Sequence, residues 1–188
     1  MTGLRQVALQ EGLWWYHDRA ACLYVLRPAL DRQHATIGDV LNVGLGKGFS
    51  ARFLLDRKPV TSVTTIEWDQ SVIDTYEAKF NDALEADHTI IHDNVLTGTF
   101  PGTYNLIYVD MLYAPDQANY DTIKNALLNL APNTASGTWV LIEWASDNVI
   151  ERELKEWLDT VLTRTMIRNR LSPFGRGRAA DMVIWRKP

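Results

Sequence analysis

A single cysteine, Cys22, stands in a chain of 188 residues. One thiol cannot close an internal disulfide, and it cannot supply a cysteine zinc cluster. Cys22 lies in the apolar stretch Ala20–Leu26 and reads as a buried helix residue. Long apolar runs are missing too. None approaches the ~20 residues that a membrane helix needs. Arg5, Gln10 and Glu11 interrupt the start of the chain, where a secretory leader would carry its apolar segment. The expected location is cytoplasmic, with no membrane partner. A basic excess is also absent. There are 19 Lys and Arg against 23 Asp and Glu, for a net charge of −4. Proteins that grip a phosphate backbone usually present a basic surface, so no nucleic acid partner is expected, although Arg164, Arg168, Arg170, Arg176, Arg178 and Arg186 crowd the C-terminal end. His34, His88 and His92 show no metal-ligand spacing such as H-E-x-x-H, and no metal is expected. No internal repeat and no Pro/Gly/Ser linker divides the chain. It reads as one domain over 1–188, with a helical, aromatic cap over 1–35 and a core over 36–188.

What is present alternates between two periods. Asp39-Val40-Leu41-Asn42-Val43 is a short apolar run ending at Gly44, the pattern of a buried strand. A helix is predicted from Phe49 to Asp56. Ser62–Glu67 is β-branched and reads as a second strand. Ser71-Val72-Ile73-Asp74 has the form of a capping box, with Val72, Ile73, Tyr76 and Phe80 at helical spacing behind it. Thr89–Ile91 and Leu106–Val109 read as strands three and four. Ile123, Ala126, Leu127 and Leu130 fit a helix that stops before Pro132. Trp139–Ile142 is a fifth strand, and Val149–Val161 is a strongly amphipathic helix. Two late strands are predicted around Thr165–Arg168 and Met182–Trp185. Alternating strands and helices imply a mostly parallel, Rossmann-like α/β sheet with helices on both faces. Ligands of such sheets lie at the carboxyl ends of the strands, so the residues that follow each strand are the candidates.

Those residues form a series. Gly44-Leu45-Gly46-Lys47-Gly48 follows the first strand, and glycines there allow positive φ and close approach of a ligand. The dinucleotide fingerprint would need glycine where Phe49 stands, and a P-loop would need Gly-Lys-Ser/Thr. The nucleophile elbow G-x-S-x-G is absent. Glu67 closes the second strand, placed to accept hydrogen bonds from the two hydroxyls of a ribose. Trp68 stands next to it, and Asp69 is a candidate helix cap. Asp93, after the third strand, suits an adenine amino group. Asp110, after the fourth, suits orienting an amine or accepting its proton.

Gly44–Gly48, Thr65-Ile66-Glu67-Trp68-Asp69, His92-Asp93 and Leu106–Asp110 together resemble the class I S-adenosylmethionine-dependent methyltransferases. The resemblance covers roughly Asp39–Trp185. It implies a seven-stranded sheet whose last strand is antiparallel. It also implies S-adenosylmethionine as cofactor. Gly44, Leu45, Gly46 and Gly48 would hold the methionine part and the ribose, Glu67 the ribose hydroxyls with Trp68 beside it, and Asp93 the adenine. Within that superfamily the wording is most similar to the spermidine synthases, through Tyr16-His17-Asp18, Val63–Asp69 and Tyr104–Asp110. Lys47 stands where those enzymes carry an acidic residue, which disfavours aminopropyl transfer. The expected function is methyl transfer to a small molecule, at an amine. Asp110 and Tyr113 are the candidate catalytic residues. His17, Trp14 and Trp144 are candidates for the acceptor pocket, and the aromatic N-terminal helix is a candidate homodimer face. The alternatives are a spermidine synthase-like aminopropyltransferase, a non-catalytic nucleotide-binding module and an NAD-binding oxidoreductase.

Overall fold

The computed structural model describes residues 37–46, 48–55, 60–80, 87–111, 116–143, 149–168 and 182–188. The proposed cap over 1–35 and its homodimer face lie outside these residues. The strands are β1 (Asp39–Val43), β2 (Ser62–Glu67), β3 (His88–His92), β4 (Tyr104–Val109), β5 (Thr134–Glu143), β6 (Thr163–Arg168) and β7 (Met182–Arg186). The helices are α1 (Phe49–Leu55), α2 (Gln70–Phe80), α3 (Gln117–Asn129) and α4 (Val149–Val161), with a 3-10 turn over Ala131–Asn133. None of the described helices is long and apolar enough to cross a membrane.

The strands form one sheet in the order β3-β2-β1-β4-β5-β7-β6. β1 pairs in parallel with β2 and β4, β2 with β3, and β4 with β5. β7 runs antiparallel to both of its neighbours, β5 and β6. The mostly parallel α/β sheet read from the sequence is found, and its reversed strand is the last in the chain.

Strand order determines where the helices go. From β1 the chain steps outward through β2 to β3, then returns beside β1 as β4 and steps the other way. Right-handed crossovers require the helices of these two excursions to lie on opposite faces. The packing agrees. Leu41 and Val43 of β1, Ile107 and Val109 of β4, and Val140 and Ile142 of β5 share a core with Ile123 and Ala126 of α3 and Leu154 and Leu158 of α4. On the other face, Leu45 and Ala51 pack with Ile73 and Tyr76 of α2. β3 divides in the same way, Ile91 packing on the first cluster and Ile90 on the second. Between the ends of β1 and β4 the chain leaves in opposite directions. That is the crevice where ligands of open α/β sheets bind.

Two boundaries differ from the sequence reading. Helix α2 begins at Gln70, so the box starting at Ser71 does not form and the cap is Asp69, the candidate named from the sequence. The Asp69 Oδ1 accepts the Ser71 N–H (2.9 Å) and the Ser71 hydroxyl (2.6 Å). β5 is longer than its apolar run. Its first half, Thr134–Thr138, is polar because it lies at the sheet margin, with Thr134 opposite Tyr104 and a register irregularity before Leu106.

Candidate functional site

Beyond each of the central strands the ladder continues by one more bond. Gly44 N–H donates to Ile66 O (2.9 Å), Asp93 N–H to Glu67 O (3.1 Å) and Asp110 N–H to Val43 O (2.9 Å). These bonds pull the four strand ends together. The closeness explains Gly44. Its φ is +92°, and a Cβ at this position would run into the Asp110 carbonyl. The first glycine of the loop is thus required by the neighbouring strand. Gly46 (φ +51°) and Gly48 (φ +80°) then turn the chain, with Gly48 N–H closing onto Leu45 O at 2.8 Å.

Glu67 is the organising charge. It is only 4% exposed. A buried carboxylate is tolerated only when hydrogen bonds replace its lost water. Here Oε2 accepts the Leu45 N–H (2.9 Å), while Oε1 accepts the N–H groups of Trp68 (2.9 Å) and Asp69 (3.0 Å). One side chain therefore ties the glycine loop to the β2–α2 turn. A carboxylate offers about four acceptor positions, so roughly one is left for a ligand hydroxyl.

A cavity of about 370 Å³ opens over these strand ends, within the size range of small-molecule sites. Val43 and Gly44 contribute from β1, and Ile66, Glu67 and Trp68 from β2 and its turn. Asp93, Asn94, Val95 and Leu96 form the wall after β3. Met111 follows β4, and Asn119 and Thr122 come from the first turns of α3. Trp68 lines this cavity with 68% of its surface exposed and follows the buried carboxylate directly in the chain. The His92 Nε2–H donates to the Trp68 carbonyl (3.0 Å) and steadies that turn.

The wall after β3 is a tight local structure. Asp93 Oδ1 accepts the Asn94 N–H (2.7 Å), Asn94 Oδ1 accepts the Leu96 N–H (2.9 Å), and the Asn94 carbonyl accepts from Thr97 and Gly98. Asp93 N–H is used on Glu67. Across Asp93–Gly98 the Val95 N–H is the peptide donor left without a partner among the described residues. Asp93 and Val95 thus bring a carboxylate and an N–H without a partner among the described residues to the same wall of the cavity.

The structure thus brings Gly44, Glu67, Trp68 and Asp93 to one cavity. Leu45, Gly46 and Gly48 shape the adjoining loop without lining it. Asp110 stands beside it, where Oδ2 accepts the Ser50 hydroxyl (3.1 Å) from the first turn of α1. Tyr113, His17, Trp14 and Trp144 lie outside the described residues. Sequence reading passed over Asn94, Met111, Asn119 and Thr122. It also passed over Asn42, which is fully buried in β1. The Asn42 amide donates to Gly44 O (2.8 Å) and holds the start of the loop. A polar residue inside an otherwise apolar strand was the available signal. Among the described residues no group of three His, Cys, Asp or Glu is placed to hold a metal ion.

No protein-family model matches the chain, and no curated protein does. Solved structures do. The N-methyltransferase NodS from Bradyrhizobium japonicum WM9, in complex with S-adenosyl-L-homocysteine, is similar with a TM-score of 0.70 at 16% identity, over 92% of this chain and 88% of that one. Magnesium protoporphyrin IX methyltransferase (ChlM) from Synechocystis PCC 6803, with bound S-adenosylmethionine, gives 0.66 at 12% identity, over 91% and 80%. An rRNA methylase from Streptococcus thermophilus gives 0.61 at 14% identity, over 80% and 86%. The chain therefore has the Rossmann-like fold of solved S-adenosylmethionine-dependent methyltransferases.

Proposed function

We propose that the protein is an S-adenosylmethionine-dependent methyltransferase whose acceptor is a small molecule, methylated at an amine. The observation that carries this reading is the pairing of buried Glu67 with the Asp93–Val95 wall in one cavity at the β1/β4 switch point. A nucleoside needs a carboxylate for its ribose hydroxyls, and Glu67 keeps a free acceptor position. The Watson–Crick edge of adenine carries an amino donor next to a ring acceptor. The Asp93 carboxylate and the Val95 N–H offer the complementary pair. Trp68 supplies an aromatic face for the base. These residues fit the cofactor.

S-adenosylmethionine, when bound, supplies a methyl group on a sulfonium that needs no further activation. The chain's own residues then have to position the partners and exclude water. Ser50 holds the Asp110 carboxylate by its hydroxyl, and Asp110 orients the acceptor nitrogen and takes its proton as the N–C bond forms. The preference for a small acceptor rests on the net charge of −4. The fold alone does not separate acceptors, since an rRNA methylase shares it.

Calorimetric titration with S-adenosylmethionine, its decarboxylated form, S-adenosylhomocysteine and NAD tests the reading. The expected result is binding of the first and third, weakened about tenfold or more in Glu67→Ala by loss of a hydrogen bond to a charged group. Preference for the decarboxylated donor would instead indicate aminopropyl transfer, the reading suggested by the spermidine synthase-like wording. Binding without turnover across an amine panel would indicate a nucleotide-sensing module. Absence of binding to all four would remove the cofactor.

A further inference from the structure

We infer that Asn129, at the end of α3, is a positioning residue that makes the cavity selective for adenine, an inference that rests on the nucleoside reading above. Its amide Nδ2 donates both hydrogens to the β3–β4 connection, one to Val95 O (2.9 Å) and one to Gly98 O (2.8 Å). These two residues govern the two halves of the recognition edge. Val95 carries the unused N–H, and its side chain is buried in the main core. Gly98 is the seat of the Asp93 carboxylate. A Cβ on Gly98 would stand 2.6 Å from Asp93 Oδ2 and 2.7 Å from Phe100 Cζ. One amide therefore ties the residue whose N–H donates to the glycine against which the accepting carboxylate lies. Asn129 lines no part of the cavity itself and acts only through the wall.

The same chemistry recurs one turn further on, away from the site. Asn133 Nδ2 donates to Phe100 O and Gly102 O, both at 2.8 Å. Neither of those residues lines the cavity. Asn133 is thus an internal control. It is a like clamp on the same connection, and the carbonyls it holds belong to residues outside the cavity lining.

The probes are S-adenosylhomocysteine and its inosine analogue, in which hypoxanthine replaces adenine and reverses donor and acceptor on that edge. A clamp with a merely structural role would weaken both ligands equally. The wild-type chain is expected to prefer the adenine ligand. In Asn129→Ala that preference falls about tenfold, the scale of one hydrogen bond. In Asn133→Ala it stays within about twofold of wild type while the melting temperature drops. Asn129→Asp removes both donors at constant size and serves where the alanine variant melts too low to titrate. An unchanged preference in the Asn129 variants, or an equal fall in Asn133→Ala, overturns the inference and leaves the nucleoside site standing. A wild-type chain that binds neither ligand, or both alike, overturns the nucleoside or adenine reading itself and the inference with it.

Discussion

At Gly44 two demands that usually go together can be separated. The residue has a positive φ, and it has no room for a side chain because the Asp110 carbonyl lies against it. Gly102 also has a positive φ, of +76°, but nothing lies within 4 Å of where its Cβ would be. Gly102→Ala should therefore cost only the left-handed backbone penalty, about 1 kcal/mol. Gly44→Ala adds the parting of β1 from β4 to a strained backbone, and about 2 kcal/mol or more is expected. Denaturant midpoints of the two variants measure the difference. The Gly44 variant should also lose nucleoside binding, because parting those strand ends shifts Glu67 and Leu45 against each other, while the Gly102 variant should bind as wild type does. Equal losses of stability in the two would mean that the approach of Asp110 is not what this glycine accommodates.

At the scale of the element, α2 shows how a charged cap ties structure to pH. The Ser71 hydroxyl, then its peptide N–H, hold the Asp69 carboxyl below its ordinary range. A carboxyl lowered on folding stabilises the native state above the ordinary carboxylate range, and that contribution disappears as pH falls through the folded value. Asparagine caps a helix about as well as aspartate without titrating. Wild type should therefore lose stability relative to Asp69→Asn as the pH is taken from neutral into the acid range, with α2 amide exchange rising first. A difference between the two proteins that stays constant with pH would count against the charged cap. The element scale also shows what was legible in the sequence. α4 was readable because its apolar stripe coincides with the residues it buries, Leu154 and Leu158. β1 and β4 were readable because both of their faces are covered, which forces continuous apolar runs. At the start of α2 the sequence offered two caps, because Asp69 and Ser71 both satisfy a capping pattern, and the backbone takes Asp69. The polar half of β5 left no mark, since strand pairing there depends on Tyr104 across the ladder and not on local composition. At the cavity, Glu67 and Asp93 were legible as lining residues because strand ends are predictable positions for charge. Asn119, Thr122 and Asn129 were not legible, because what places them is the return of α3 over the cavity.

For the molecule as a whole, the sheet has a half that carries the cavity and a stitched half. The cavity draws on β1, β2, the β3–β4 connection and α3. At the other end β7 inserts between β5 and β6, and its fully buried Trp185 donates from Nε1 to Asp159 of α4 at 3.0 Å. Lys187 continues the ladder past the strand, its N–H donating to Thr138 O and its carbonyl accepting from Gly137. Both halves belong to one continuous sheet and share the core cluster that runs from Val43 to Trp185, so they should unfold together. Truncating Trp185 to alanine removes a large buried side chain and is expected to cost about 3–5 kcal/mol. Binding acts on the same cooperative transition from the opposite end. At ~100 times its Kd a ligand adds ~2.7 kcal/mol to the folded state, which in a domain of this size raises the melting temperature by about 5–10 °C. If the halves are coupled only through global unfolding, these two effects add. Trp185→Ala should melt lower than wild type without ligand, and S-adenosylhomocysteine should contribute the same free energy to both proteins when each is at the same multiple of its own Kd. Scanning calorimetry of the two proteins, with and without ligand, measures this directly. A ligand increment that shrinks in the variant while Kd is unchanged would mean that the β5–β7–β6 end opens separately from the half that carries the cavity, and the sheet would then have to be treated as two cooperative units.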